Sequence, residues 1–176
     1  MRNNLSQLIS LSKVEEKLYR PVDAYEQSRV TRMEHVNTTI VEKPQEGITT
    51  VAARIAKLIN RREANGQKTV LSLASGRSMR DLFVELVRLH KEEGLSFKNV
   101  VIFGSYEFYP LADSSMGSMA QIQSQLLDHI DILPENVHTF PGDLPKETIF
   151  AFCEEYEKAI TEAGGIDIQV LGIGQC

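Results

Sequence analysis

Apolar residues along the chain fall into two alternating patterns: short uninterrupted runs, and longer stretches in which they recur every three or four positions. The first predicts buried strands and the second amphipathic helices. Residues 38–41 (TTIV) are a short β-branched run, and Ile48, Val51, Ala52, Ile55, Leu58 and Ile59 then share one helical face before an Asn65-Gly66 stop. TVLSLA (69–74) reads as a buried strand. Beyond the turn SGRS, Met79, Leu82, Phe83, Leu86 and Val87 mark a second helix ended by Gly94, with Ser78 and Asp81 in capping-box spacing. VVIF (100–103) is a third strand. The next helix carries Met119, Ile122, Leu126 and Ile130 on one face, with Ser114 or Ser115 as its cap. VHTF (137–140) is a further short strand. Asp143 and Pro145 open a fourth helix with Ile149, Phe152, Cys153, Tyr156, Ala159 and Ile160 as its stripe, ended by Gly164-Gly165, and IQVLGIG (168–174) is the last strand.

Strands alternating with helices of this length predict a doubly wound, Rossmann-like α/β fold: a parallel sheet flanked by helices. Residues 1–37 are polar, carry only weak periodicity and read as an N-terminal arm to a domain over 38–176. The length of 176 residues suits one domain with an ordinary core. Nineteen Lys and Arg against 24 Asp and Glu give a net charge of −5, which offers no global attraction for nucleic acid or an anionic membrane. No window approaches the apolar length of a spanning helix. Two cysteines, Cys153 and Cys176, make no disulfide framework, and the four scattered histidines have no metal-ligand spacing. The expectation is a cytoplasmic protein without a metal.

A parallel sheet binds ligands beyond the carboxyl ends of its strands, which singles out SGRS (75–78), GSYEFYP (104–110) and GIGQC (172–176). In the first, Gly76 lets the backbone approach an anion where the next helix presents free N–H groups. Ser75 and Ser78 add hydroxyls and Arg77 a charge. An ordinary capped turn has the same local pattern. In the second, Tyr106, Phe108 and Tyr109 suit stacking on a sugar ring while Glu107 handles a proton, or else plug the rim of the sheet.

Taken together, LSLASGRS, HKEEGLSFKNVVIFGSYEFYP, DHIDILPENVHTFPGDLP and YEKAITEAGGIDIQVLGIG resemble the glucosamine-6-phosphate deaminase (isomerase) family over nearly all of 38–174. The resemblance implies conversion of glucosamine 6-phosphate and water to fructose 6-phosphate and ammonia, by ring opening, proton transfer between C2 and C1 and release of the amine, without a metal or organic cofactor. It implies that Ser75, Gly76, Arg77 and Ser78 hold the substrate phosphate. It also implies two departures. The family's catalytic Asp after the third strand corresponds to Tyr106, a phenol and a poor base at neutral pH, with Glu107 one residue displaced. The family's ring-opening His, its supporting Glu and a Lys fall beyond Cys176.

Two expectations follow. One is a deaminase-like protein of amino-sugar metabolism, catalytically impaired in this chain, with Tyr106 and Glu107 at the catalytic positions. The other is a noncatalytic sugar-phosphate-binding or structural remnant of the same fold; a lactone hydrolase of the same superfamily ranks below both. The expected partner is glucosamine 6-phosphate or fructose 6-phosphate. A homo-oligomer is also expected, because Ile168, Val170, Leu171 and Ile173 on the last strand would be partly uncovered in a monomer.

Overall fold

The computed structural model describes residues 38–111 and 113–172, together with the isolated Ala24. The chain divides into two units, Met1–Ile40 and Val41–Cys176, and every element named below belongs to the second. The expected arm over 1–37 lies outside the described residues apart from Ala24, as do Ile173 and Cys176.

Four parallel strands, β1 (Thr69–Leu73), β2 (Val100–Gly104), β3 (Val137–His138) and β4 (Ile168–Val170), form one sheet in the order β3-β2-β1-β4. β1 and β2 pair along their whole length, from Thr69 opposite Val100 to Leu73 opposite Gly104. Among the described residues of this unit the α-helices are α1 (Pro44–Ala64), α2 (Arg77–Glu93), α3 (Ser118–Gln125) and α4 (Ile149–Glu162). Alternation along the central strands sends Leu71, Leu73, Val100 and Ile102 to one face, where they meet Ala52, Ile55 and Ile59 of α1, Leu82, Phe83 and Leu86 of α2 and Ile122 of α3. Val70, Val101 and Phe103 face the other way, onto Tyr156, Phe152, Ala159 and Ile160 of α4. Helices thus cover both faces of a parallel sheet, and the central strands are buried throughout.

Edges depart from the sequence expectations more than the core does. Residues 38–41 form no strand; Pro44 starts α1 three residues on, and Ile40 is exposed. A β-branched run becomes a strand only where a sheet edge receives it. α3 starts at Ser118 behind Gly117 rather than behind Ser114 or Ser115, because Ser114–Met116 makes a separate 3₁₀ turn. Its expected continuation through Ile130 breaks after Gln125 into a second 3₁₀ turn, Leu127–His129. Another such turn, Lys146–Thr148, separates Pro145 from α4.

β3 is two residues long and β4 three. The start of β4 is fixed by Asp167, whose carboxylate accepts the Val70 N–H (2.9 Å) and pairs with Arg62 on α1. At the sheet edge Ile168 and Val170 are half-buried and Leu171 is exposed, as the pattern of the last strand predicts.

Candidate functional site

β1, β2 and β4 deliver their following loops to the same end of the sheet. The Ser105 N–H donates to the Leu73 carbonyl (2.9 Å) and the Ala74 N–H to the Val170 carbonyl (3.3 Å), so pairing persists to the first residue of each loop. β2 and β3 lie on one side of β1 and β4 on the other. The chain therefore reverses its winding at the β1–β4 pair, where a doubly wound sheet opens a crevice.

The SGRS turn stands at that crevice. Ser75 is buried, while Arg77 and Ser78 are exposed. Gly76 is the N-cap of α2 at φ 118°, a conformation side chains rarely adopt, and nothing lies within 4 Å of the place where a Cβ would project. The helix accordingly begins at Arg77. Ser78 is already inside its first turn, so the expected Ser78–Asp81 capping box does not form, and α2 has no side-chain cap. The N–H groups of Arg77 and Ser78 belong to the turn of a helix that has no internal acceptors. From the far side, Gly172 after β4 comes so close that a Cβ there would collide with Ser78 Oγ. The first and third candidate loops are therefore neighbours.

The second candidate loop splits. Tyr106 turns toward SGRS: its hydroxyl lies 3.0 Å from Ser75 Oγ and 3.4 Å from the Ser75 carbonyl. Glu107 turns away. Its Oε1 accepts the N–H of Ser118 (2.6 Å) and of Phe108 (2.9 Å), and its Oε2 accepts the N–H of Met119 (3.1 Å). That carboxylate caps α3 from eleven residues upstream, satisfying donors at a helix end and meeting the positive end of its dipole. Of the six predicted site residues, the structure brings together Ser75, Gly76, Arg77, Ser78 and Tyr106, and commits Glu107 elsewhere.

An apolar cleft of about 400 Å³ opens on the α4 side of the same loop, between Tyr106, Phe108 and Tyr109, Phe140 and Pro141 after β3, and Phe152 on α4. The Tyr109 hydroxyl donates to the Leu144 carbonyl (3.0 Å), tying the loop after β2 to the loop after β3. Beneath the cleft, Tyr156 donates to the Gly104 carbonyl (3.0 Å) and stacks on Phe140 at 4.1 Å. His138 stacks on Phe103 at 4.3 Å; burial, helped by the charge of Lys68, holds its pKa below the usual imidazole value and keeps the ring neutral. Among the described residues no three His, Cys, Asp or Glu side chains gather as metal ligands, and no described helix is long and apolar enough to cross a membrane.

Sequence reasoning missed Gly117 and Gly142. A Cβ at Gly117 would stand 2.8 Å from Glu107 Oε2, and one at Gly142 would meet Leu111 Cβ at 2.5 Å. Each glycine lies beside an apolar or acidic residue of the aromatic loop in space but not in sequence, so no local signal marks it.

The comparisons with known proteins agree with this fold. The chain is 44% identical to a glucosamine-6-phosphate deaminase-like protein of Bacteroides thetaiotaomicron over 99% of its own length and 26% of that protein's. It is 38% identical to the glucosamine-6-phosphate deaminase of Porphyromonas gingivalis, over 77% of this chain and 52% of that one. A solved monomeric glucosamine-6-phosphate deaminase superposes with a TM-score of 0.69 at 29% identity, covering 79% of this chain and 56% of the other. The chain thus spans between a quarter and about half of the relatives it matches. With the glucosamine-6-phosphate isomerase/6-phosphogluconolactonase model matching residues 42–175, the chain belongs to that family.

Proposed function

We propose that this chain binds the phosphate of glucosamine 6-phosphate or fructose 6-phosphate at Ser75, Gly76, Arg77 and Ser78, and that as a deaminase it is catalytically impaired. The binding reading rests on what the chain places at the crevice: the first-turn N–H groups of α2, the hydroxyl residues Ser75 and Ser78, and Arg77 as the first residue of the helix. A phosphate there needs no metal, because the helix terminus and Arg77 together supply positive charge.

One observation carries the second half of the proposal, namely the phenol of Tyr106 at 3.0 Å from Ser75 Oγ. Moving a proton between C2 and C1 needs a group that is deprotonated at neutral pH and stands over the sugar, whereas a phenol in a hydroxyl network serves as a donor. The neighbouring carboxylate does not stand in for it, since Glu107 already accepts three N–H groups. Loss of a positioned base lowers rate by roughly two to four decades. The same arrangement leaves binding intact, because within the turn the Tyr106 hydroxyl engages Ser75 alone and not the first-turn N–H groups of α2.

Titration of the chain with fructose 6-phosphate and glucosamine 6-phosphate by calorimetry and amide NMR, beside an ammonia-release assay, tests both halves. The expected result is saturable binding that moves the amides of 75–78, with turnover below about a hundredth of the usual ten per second. Ammonia release at an ordinary enzymatic rate overturns the impairment; amides of 75–78 unmoved by saturating ligand overturn the binding site.

A further inference from the structure

The aromatic loop between β2 and α3 is held at several points, and one residue decides how the rest of it faces. Tyr106 and Glu107 are adjacent just past the end of β2, and their side chains go to different partners, Ser75 and the start of α3. Fixing one of them therefore constrains the backbone that carries the other. Glu107 is fixed by three N–H donors, two of them at the start of α3. Gly117 makes room for it, since a Cβ at that position would stand 2.8 Å from Glu107 Oε2 and 2.9 Å from Leu111 Cδ2. Tyr106, in turn, reaches Ser75 at 3.0 Å and packs edge-on against Phe108 at 5.8 Å.

We infer that Glu107 is a positioning residue of the sugar-phosphate site: by clamping the loop to the N-terminus of α3 it aims the Tyr106 phenol at Ser75 and so completes the phosphate turn. Glu107 touches no ligand in this role and transfers no proton. Its effect on binding passes through Tyr106, and Gly117 belongs to the same device. The inference rests on the proposed binding at SGRS for its affinity readout, but the clamp itself is visible without a ligand.

The test is a double-mutant cycle read by fructose 6-phosphate affinity, together with the ring resonances of Tyr106 in the ligand-free protein. Glu107→Ala and Gly117→Ala are each expected to weaken binding about tenfold, the scale of one lost hydrogen bond to a charged group. In a Tyr106→Phe background, which has already lost the hydroxyl, the same two changes are expected to cost less than about twofold, because residues acting as a unit are non-additive. Glu107→Gln keeps a carbonyl oxygen for Ser118 and Phe108 and is expected to recover most of the affinity. In the free protein, Glu107→Ala and Gly117→Ala are expected to shift the Tyr106 ring and abolish its contact with Ser75. Full additivity with Tyr106→Phe, or an unmoved Tyr106 ring in folded Glu107→Ala and Gly117→Ala, overturns the inference. A shifted ring in a protein that never binds fructose 6-phosphate would leave the clamp standing and sink the binding site instead.

Discussion

Replacing Tyr156 with Phe isolates one hydroxyl at the junction of sheet, helix and site. Tyr156 is 9% exposed, and its hydroxyl donates to the Gly104 carbonyl at 3.0 Å with the His138 carbonyl at 3.3 Å. It therefore joins the last residue of β2 to the last of β3 from the α4 side. Phenylalanine keeps the ring contacts with Phe103 (5.4 Å), Phe140 (4.1 Å) and Phe152 (5.9 Å). What is lost is one hydrogen bond, plus part of the desolvation penalty of a carbonyl left without its partner. Together these amount to about 1–2 kcal/mol. Tyr156→Ala also removes the ring and is expected to cost about 3–5 kcal/mol. For a chain of this size the phenylalanine variant should melt about 3–6 °C lower.

Urea unfolding followed by circular dichroism measures both variants. The result that refutes the reasoning is a Phe variant as stable as the parent, or an Ala variant no worse than the Phe one. The first would mean the hydroxyl contributes nothing net, the second that the ring does not pack. Burial raises the Tyr156 pKa above its ordinary value, with the Gly104 bond a smaller opposing influence. The folded state therefore favours the protonated phenol. Stability from this source is complete below the ordinary phenol pKa of about 10 and is lost as pH rises beyond it. Tyr156→Phe should accordingly remove part of any alkaline loss of stability.

Asp131 supplies the acid-side counterpart. Burial pushes its carboxyl up, but hydrogen bonds from the Phe97 N–H (2.6 Å) and the Ser96 hydroxyl (2.9 Å), with His90 nearby, outweigh burial and leave its pKa below the ordinary value. Its stabilisation is present above about pH 4 and lost as pH falls through and below that, so urea midpoints of Asp131→Asn should vary less between pH 3 and 6 than those of the parent. Asn136 is buried, accepts from Lys68 Nζ (3.0 Å) and donates to the Lys98 carbonyl (3.2 Å); Asn136→Ala should cost about 1–3 kcal/mol in the same unfolding assay. Gly142→Ala drives a Cβ against Leu111 and strains the Leu111 N–H bond to the Gly142 carbonyl (2.8 Å), so amide exchange across 105–117 should accelerate while that of β1 and β2 holds.

The centre of this fold is legible in the sequence because hydrophobic runs decide it. TVLSL and VVIFG are continuous buried strands, and the stripe through Met79, Leu82, Phe83 and Leu86 is the buried face of α2. The edges are less legible. TTIV has the composition of a strand, yet whether a strand forms there depends on a pairing partner that local sequence does not encode. The same holds for VHTF and for the described part of IQVLGIG, where only two and three residues pair.

At the site, the loops were legible and the division of labour within them was not. Position after a strand marks SGRS and GSYEFYP as candidate loops. Which of Tyr106 and Glu107 faces SGRS depends on where α3 begins. Expecting Ser114 or Ser115 as the cap of α3 leaves Glu107 a free carboxylate, available for proton transfer. With Gly117 as N-cap, a residue without a side-chain acceptor, the helix needs an oxygen from elsewhere, and Glu107, eleven positions before Ser118, supplies it. The misplaced cap therefore bears directly on Glu107, whose carboxylate is engaged by the start of α3. Local capping rules look for an acceptor at the helix boundary itself, whereas this helix receives its acceptor across a loop whose two ends the sheet brings together.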